Sequence, residues 1–234
     1  MFLSIDSSSG YSSLLVADEN FNIVTKSVSD FHEKHSVLIF KQLDEIILRS
    51  GIKLKDLKAI AVILGPGSYT GIRVSLTIAK TLSYVLKTGL IGLGSLSACA
   101  YWAAKENNSL KNIVAVCYAS KNRYYVSKFS SAAKDIEGQI KTDILSLEEI
   151  GMLIQGMEDK PCLVYGFNNE KDCRFIEYKL KDFVSAVLFF DLKNAAYFAA
   201  KYAVESYKKN RINVFNEKYT EELSPYYVYG NGPF

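Results

Sequence analysis

The stretch from Leu57 to Leu82, LKAIAVILGPGSYTGIRVSLTIAKTL, constrains the fold more than any other part of the chain. Its first half, LKAIAVILG, is continuously apolar rather than alternating, the pattern of a strand buried on both faces of a sheet. Such a strand needs helices on both sides, which points to a layered α/β domain. From Thr70 to Leu86 the apolar residues recur at helical spacing, and Gly65, Gly67 and Gly71 punctuate the junction. Glycines let a backbone approach a ligand, and a helix start offers N–H groups to an anion, so a phosphate-holding turn is one reading. The nucleotide loop of that shape ends in Gly-Lys-Ser/Thr, however, and here Ile72 and Arg73 follow Gly71. A tight turn with close helix packing is the other reading, and the missing lysine and hydroxyl favour it.

Upstream, Phe2–Ser7, Ser12–Asp18 and Ile23–Ser29 are short apolar runs separated by SSSGY and ENFN, a meander of antiparallel strands. HSVLIFKQLDEIILRSG then changes period: Ile39, Leu43, Ile46 and Ile47 share a helical face and Gly51 stops the helix. After the glycine junction come a short strand, LIGLG, and a helix over Ser95–Lys105. The pattern restarts with NIVAVCYAS, RYYVSKFS and GQIKTDILS as a second meander. LEEIGMLI (helix), PCLVYG (strand), the apolar FVSAVLFF and a long helix Leu192–Lys209 follow. Two halves that each open with strands and turn to helices indicate duplicated architecture, with a boundary in the polar ENNSLKN giving residues 1–108 and 109–234. The tail YTEELSPYYVYGNGPF reads as an edge strand or docked segment rather than a helix.

Hydrophobic residues at 49% and charged residues at 23% exclude a disordered or fibrous chain. No apolar run reaches membrane-spanning length, and MFLSIDSSSG lacks the basic leader and long apolar block of a secretory signal. Cys99, Cys117, Cys162 and Cys173 are scattered and form no C-x-x-C pair, which fits reduced thiols in the cytoplasm. A net charge of +3 does not announce nucleic-acid binding by itself.

The histidines, His32 and His35, could face one side of a helix, but no third ligand arm accompanies them, so no metal site is expected there. Asp6, at the end of the first strand and before SSSG, has two readings. A carboxylate beside a Ser/Gly turn can hold a hydrated divalent ion while the turn faces phosphates, or it can simply satisfy a hairpin. No Ser-His-Asp or Cys-His arrangement can be ordered from the chain.

LSIDSSSGYSSLLVAD, the His-Ser start of the first helix and LGPGSYTGIRVSLTIAKTLSYV together resemble the TsaB (YeaZ) family, and the similarity is specific for residues 1 to about 100. The resemblance implies an actin-like (ASKHA, Hsp70-like) α/β fold of two related lobes, each a mixed sheet with helices. It implies a non-catalytic paralogue of TsaD that works with TsaD and the ATPase TsaE. That assembly transfers threonylcarbamoyl from its adenylate to the adenosine beside the tRNA anticodon, and tRNA is contacted indirectly. A homodimer through the partner-binding helices is a further expectation.

The chain departs from the family where an Asp-Ala-Arg-like turn usually opens the second lobe's hairpin: here stand Tyr118, Ala119 and Ser120. Own ATP hydrolysis is thereby hard to support. No cofactor is expected, with ATP or ADP and magnesium confined to a subunit interface. Asp6, Ser7, Gly65, Gly67, Ser68 and Gly71 then form a vestigial nucleotide loop that seats a helix. A small ATP-dependent kinase of the same fold, with Asp6 at a metal, is the alternative, and Gly166 is the one late glycine near an adenosine-site position. On the two amphipathic helices Val37, Leu38, Leu76 and Ala79 lie partly off the core stripe. The expected TsaD interface comprises Val37, Leu38, Arg73, Leu76 and Lys80.

Overall fold

The structure, a computed structural model, describes residues 1–30, 35–130, 141–168, 170–209 and 215–228. Strands β1 (Phe2–Asp6), β2 (Tyr11–Ala17) and β3 (Ile23–Asp30) form the first meander, followed by α1 (His35–Ser50). Next come β4 (Ala59–Ile63), α2 (Tyr69–Leu86), β5 (Gly89–Leu93) and α3 (Ser95–Glu106). The same order returns in β6 (Asn112–Ser120), β7 (Arg123–Ser130), β8 (Thr142–Leu145), α4 (Leu147–Gln155), β9 (Cys162–Phe167), α5 (Cys173–Leu180), β10 (Ala186–Asp191) and α6 (Ala195–Lys208). A short α7 (Glu217–Glu222) follows.

The two five-stranded sheets run β3-β2-β1-β4-β5 and β10-β9-β6-β7-β8, one topology used twice. In each, the meander is antiparallel and the last two strands join in parallel. The duplication read from the strand pattern is therefore present. The compact units, however, are Met1–Ser95 with Lys193–Tyr226, and Leu96–Leu192 with Tyr227–Phe234. The expected boundary at residues 108/109 falls inside the second unit, because α3 belongs there and α6 returns to the first.

In the first unit β1 and β4 are buried throughout, and alternation divides their side chains between two layers. Leu3, Ile5, Ile60 and Val62 join Leu14 and Val16 under Ile39 and Ile46 of α1 and Ile78 and Ala79 of α2. The opposite layer sets the small residues Ser4, Ala17, Ala59 and Ala61 among Phe2, Leu15 and Ile63, and α6 packs on β1, β2 and β4 with buried Ala195, Ala196, Ala199, Ala200 and Ala203. Small side chains on both surfaces let that helix lie close to the sheet. Where space opens, Phe21, Tyr197 and Phe198 fill it edge to face.

In the second unit Val114, Val116, Val126, Leu163 and Tyr165 pack beneath Ile150, Ile154, Ile176 and Leu180 of α4 and α5. Helix α4 starts on a full capping box: the Ser146 hydroxyl accepts from the Glu149 N–H at 3.2 Å and the Glu149 carboxylate accepts from the Ser146 N–H at 2.6 Å. The tail is corrected in part. Asn216 caps α7 by accepting from the Tyr219 N–H, so YTEE is helical, whereas Leu223–Tyr226 is docked, its Tyr226 N–H donating to the Leu64 carbonyl at 2.8 Å.

Candidate functional site

Strand β1 carries Asp6 to the sheet's end, where the chain turns through Ser7–Gly10 into β2. Beside it, β4 runs through the glycine junction into α2. The two turns are tied together: the Ser68 N–H donates to the Ser8 carbonyl at 2.7 Å, and the Ser7 hydroxyl donates to the Gly71 carbonyl at 2.6 Å. A Cβ on Gly67 would overlap the Ser8 carbonyl oxygen, and one on Gly71 that of Ser7. These glycines bring one piece of main chain against another, and a ligand has no room between them. Gly65, at φ 99°, turns the chain out of β4 and accepts from the Ser95 N–H at 2.8 Å.

The start of α2 is also occupied by the protein. Ser68 is its N-cap, its hydroxyl accepting from the Gly71 N–H at 3.2 Å and its carbonyl from the Ile72 N–H at 2.9 Å. The junction is therefore a device for seating a helix, the packing alternative of the two that the sequence left open.

Asp6 is the chemically unusual member. One carboxylate oxygen accepts from the Ser8 N–H at 2.8 Å, and the other, fully buried, has no hydrogen-bond partner among the described residues. The Ser4 hydroxyl, two residues earlier on the same side of β1, is likewise unsatisfied. Burial pushes the Asp6 carboxyl up from 3.8 to about 6, against the opposing pull of the Ser8 hydrogen bonds.

A magnesium nucleotide would need more than this. Among the described residues no three His, Cys, Asp or Glu side chains converge. At the corresponding hairpin of the second unit, Tyr118 and Tyr124 stack edge to face at 5.7 Å where an acidic turn would stand, and Lys121 and Asn122 make the left-handed turn. Magnesium usually keeps several waters and takes one or two carboxylates together with phosphate oxygens, and the free oxygen of Asp6 is buried beside turns that bond to each other, which leaves such a hydrated ion and its phosphates no open approach there. Gly166 is enclosed by Cys99 Sγ and Leu192 at 3.1 and 3.2 Å from where a Cβ would sit, a packing position. His32 lies outside the described residues, and the side chain of His35 is not described.

The expected docking residues divide. Leu38 is half-buried on α1, Arg73 lies over the Tyr69 ring at 3.9 Å on the exposed side of α2, and Lys80 donates to the Glu221 carbonyl at 2.8 Å. The side chain of Val37 is not described. Leu76 is a correction: it is 5% exposed and belongs to the core, as does Ala79. The buried stripe of α2 includes the small residues Gly71, Ser75 and Ser83, which an apolar count passes over, and this rotates the stripe onto Leu76. The exposed apolar side chains are instead Phe40 and Leu48 on α1 (55% and 83%) and Tyr69, Tyr84 and Val85 on α2 (56%, 46% and 71%). Their signal was available in the sequence as apolar residues opposite the core stripe.

The duplicated sheets define an actin-like α/β protein. The fold matches a Pseudomonas aeruginosa protein described as similar to peptidase YeaZ, with a TM-score of 0.71 over 97% of this chain and 99% of that one at 16% identity. It also matches the ROK hexokinase of Thermus thermophilus, with a TM-score of 0.55 over 88% of this chain and 99% of that one at 10% identity, a likeness of fold alone.

The family model for TsaD, tRNA N6-adenosine threonylcarbamoyltransferase, matches residues 27–222, and the chain belongs to that family. The TsaB (YeaZ) resemblance is borne out by curated relatives. The tRNA threonylcarbamoyladenosine biosynthesis protein TsaB of Buchnera aphidicola (Schizaphis graminum) is 31% identical over 50% of this chain and 54% of its own length. That of Haemophilus influenzae is 37% identical over 40% of this chain and 39% of its own length. The matches thus span about half or less of those relatives. Among the described residues no helix is long and apolar enough to cross a membrane.

Proposed function

We propose that this chain is a non-catalytic scaffold and activator subunit in the formation of threonylcarbamoyladenosine in tRNA. It acts in the cytoplasm with TsaD and TsaE and meets tRNA through the complex. The observation that carries this reading is the family match across residues 27–222 in a chain whose relatives are TsaB proteins. The site geometry supports it, since the glycine junction is filled by its own backbone and the second oxygen of Asp6 is buried without a partner among the described residues. Depleting the protein should abolish the modified nucleoside in tRNA, read by mass spectrometry of digested tRNA. Unchanged nucleoside levels in a cell without a paralogue would refute the role. Co-purification should recover TsaD, and calorimetry with Mg-ATP should show no turnover of an acceptor, the result a kinase of this fold would reverse.

The TsaD contact is proposed on the outer side of α1 and α2, through Leu38, Phe40, Arg73, Lys80 and Val85, with Val37 on the same helix. Leu76 holds the core and lies outside this contact. Placing a charge at a central apolar anchor costs on the order of 2 kcal/mol, roughly thirtyfold in affinity. Leu38→Asp and Val85→Asp should weaken TsaD binding by that factor while the chain stays folded. Unchanged affinity in both would refute this surface.

A further inference from the structure

Helix α5 turns an aromatic and basic face outward from the second unit. Its buried residues, Ile176 and Leu180, stand four apart and mark the side packed on the core. Tyr178 points the other way and is 71% exposed. Arg174 four residues before it, Phe175 three before and Lys181 three after share its side, because the backbone stays helical through Lys181. Phe175 is 51% exposed, and the Lys179 ammonium lies over its ring at 5.8 Å. The acids of the segment, Asp172 and Glu177, stand about 100–120° round the helix from Tyr178, on the flanks. Glu148 of α4 is near enough to Lys179 to feel its charge. Among the described residues Arg174, Lys179 and Lys181 make no ion pair.

Beyond Lys181 the chain runs through a short turn into β10, past a cavity of about 430 Å³ where the parallel strands β6, β9 and β10 begin. Lys111 and Lys160 line it with Asn107, Ser109 and Asp159. Lys160 joins the cavity to the end of α5, its ammonium donating to the Asp182 carbonyl at 3.0 Å. Two lysines against one aspartate leave the lining positive, and the volume falls in the range of ligand pockets.

We propose that the outer face of α5 and this cavity form a contact for unpaired RNA, so that within the assembly this chain itself touches the tRNA. An exposed ring gives an unpaired base a flat surface to stack on, and cations beside the ring hold the phosphates that the strand brings with its bases. A paired base has no open face to offer, so the contact selects loops over duplex. The centre of a protein interface is depleted of lysine, whereas Lys179 and Lys181 flank these two rings, which favours RNA over a protein as the occupant. The net charge of +3 is too small to announce such a contact, and only the local arrangement reveals it. The inference rests on the reading that the chain works on tRNA, and it uses no residue of the proposed TsaD contact.

Fluorescence anisotropy of a labelled, unmodified anticodon stem-loop RNA, titrated with the full chain at several salt concentrations, tests this against a blunt RNA duplex of equal length. The stem-loop should bind more tightly than the duplex. Phe175→Ala and Tyr178→Ala should each weaken the stem-loop about tenfold and leave the duplex unchanged. Arg174→Ala and Lys181→Ala should each lower the slope of log affinity against log salt by about 0.7. All four side chains are exposed, so the variants should keep the wild-type circular dichroism and the wild-type affinity for TsaD. Absence of stem-loop binding at low salt overturns the proposal, as does equal affinity for loop and duplex. Loss of TsaD binding in Tyr178→Ala would assign the face to a protein and overturns it too. Unaltered nucleoside levels on depletion would refute the proposed function, and the titration tells that failure apart from failure of this surface, which shows as wild-type RNA affinity in all four variants.

Discussion

Replacing Asp6 by asparagine isolates the energetic consequence of burying one carboxylate with one oxygen unpartnered. The side chain is 1% exposed, and burial carries its carboxyl from 3.8 to about 6. At about 1.4 kcal/mol per pH unit, that displacement corresponds to about 3 kcal/mol. The sign follows from proton uptake. Between these two values the folded chain holds the proton and the unfolded chain releases it, so the stability linked to Asp6 is fully present below about pH 4. It is lost as the pH rises through about 6. Asparagine has no such titration, although its amide can still accept from the Ser8 N–H. Any fixed cost of the substitution cancels when the two proteins are compared at two pH values. Urea unfolding followed by circular dichroism at pH 4 and pH 7.5 should therefore show the variant gaining about 2.5 kcal/mol on the wild type between the two conditions, the rest of the change falling below pH 4. A wild-type-minus-variant difference that stays constant with pH would refute the reasoning, since it would mean that the carboxyl is hydrated or paired in the folded chain.

Two other substitutions probe the architecture. Gly71→Ala drives a methyl group into the Ser7 carbonyl oxygen and must displace the turn that anchors α2, so thermal unfolding should show a loss of more than about 2 kcal/mol; an unchanged midpoint would mean that the two turns are not in contact. Gln42→Leu leaves the hydroxyls of Ser12, Ser27 and Ser29 without their shared amide between α1 and the β2–β3 hairpin, which should cost about 1–3 kcal/mol in denaturant unfolding, and a neutral result would show that water replaces it.

What could be read from the sequence was local, and what could not be read depended on distance along the chain. The unbroken apolar run Ala59–Ile63 announces a strand covered on both faces, and β4 is that strand. The short apolar runs before α1 and after α3, with turn residues between them, announce two meanders, and both formed with their strands in sequence order. Helix α6 was legible as a helix because its apolar residues recur at helical spacing, but nothing in that spacing says that it packs on β1, β2 and β4, far earlier in the chain. Hence the domain boundary was drawn as a single cut. Helix α7 spans six residues, fewer than two turns, so periodicity could not reveal it and only the Asn216 cap marks its start. At the site, Gly67 and Gly71 were legible as close-approach positions, but whether a ligand or the protein's own main chain approaches them is decided by Ser7 and Ser8, more than fifty residues upstream.

The repetition of one topology sharpens what the first unit's junction means. In the first sheet β1 ends at Asp6, and in the second the equivalent end of β6 leads through Cys117 to Tyr118, with Gly166 of β9 alongside. Here the first end is filled by the protein's own turns, the Ser68 N–H donating to the Ser8 carbonyl and the Ser7 hydroxyl to the Gly71 carbonyl. The second is filled by Cys99 and Leu192 around Gly166 and by the rings of Tyr118, Tyr124 and Tyr165. The burial that stabilises these ends also removes ligand-facing groups: Cys117 is raised to about 12 and is inert as a thiolate, and Asp6 titrates as a group that resists carrying charge. What packing leaves exposed in the first unit are apolar side chains on its helices, Phe40 and Leu48 on α1 and Tyr69, Tyr84 and Val85 on α2, and the proposed scaffold role rests on that surface.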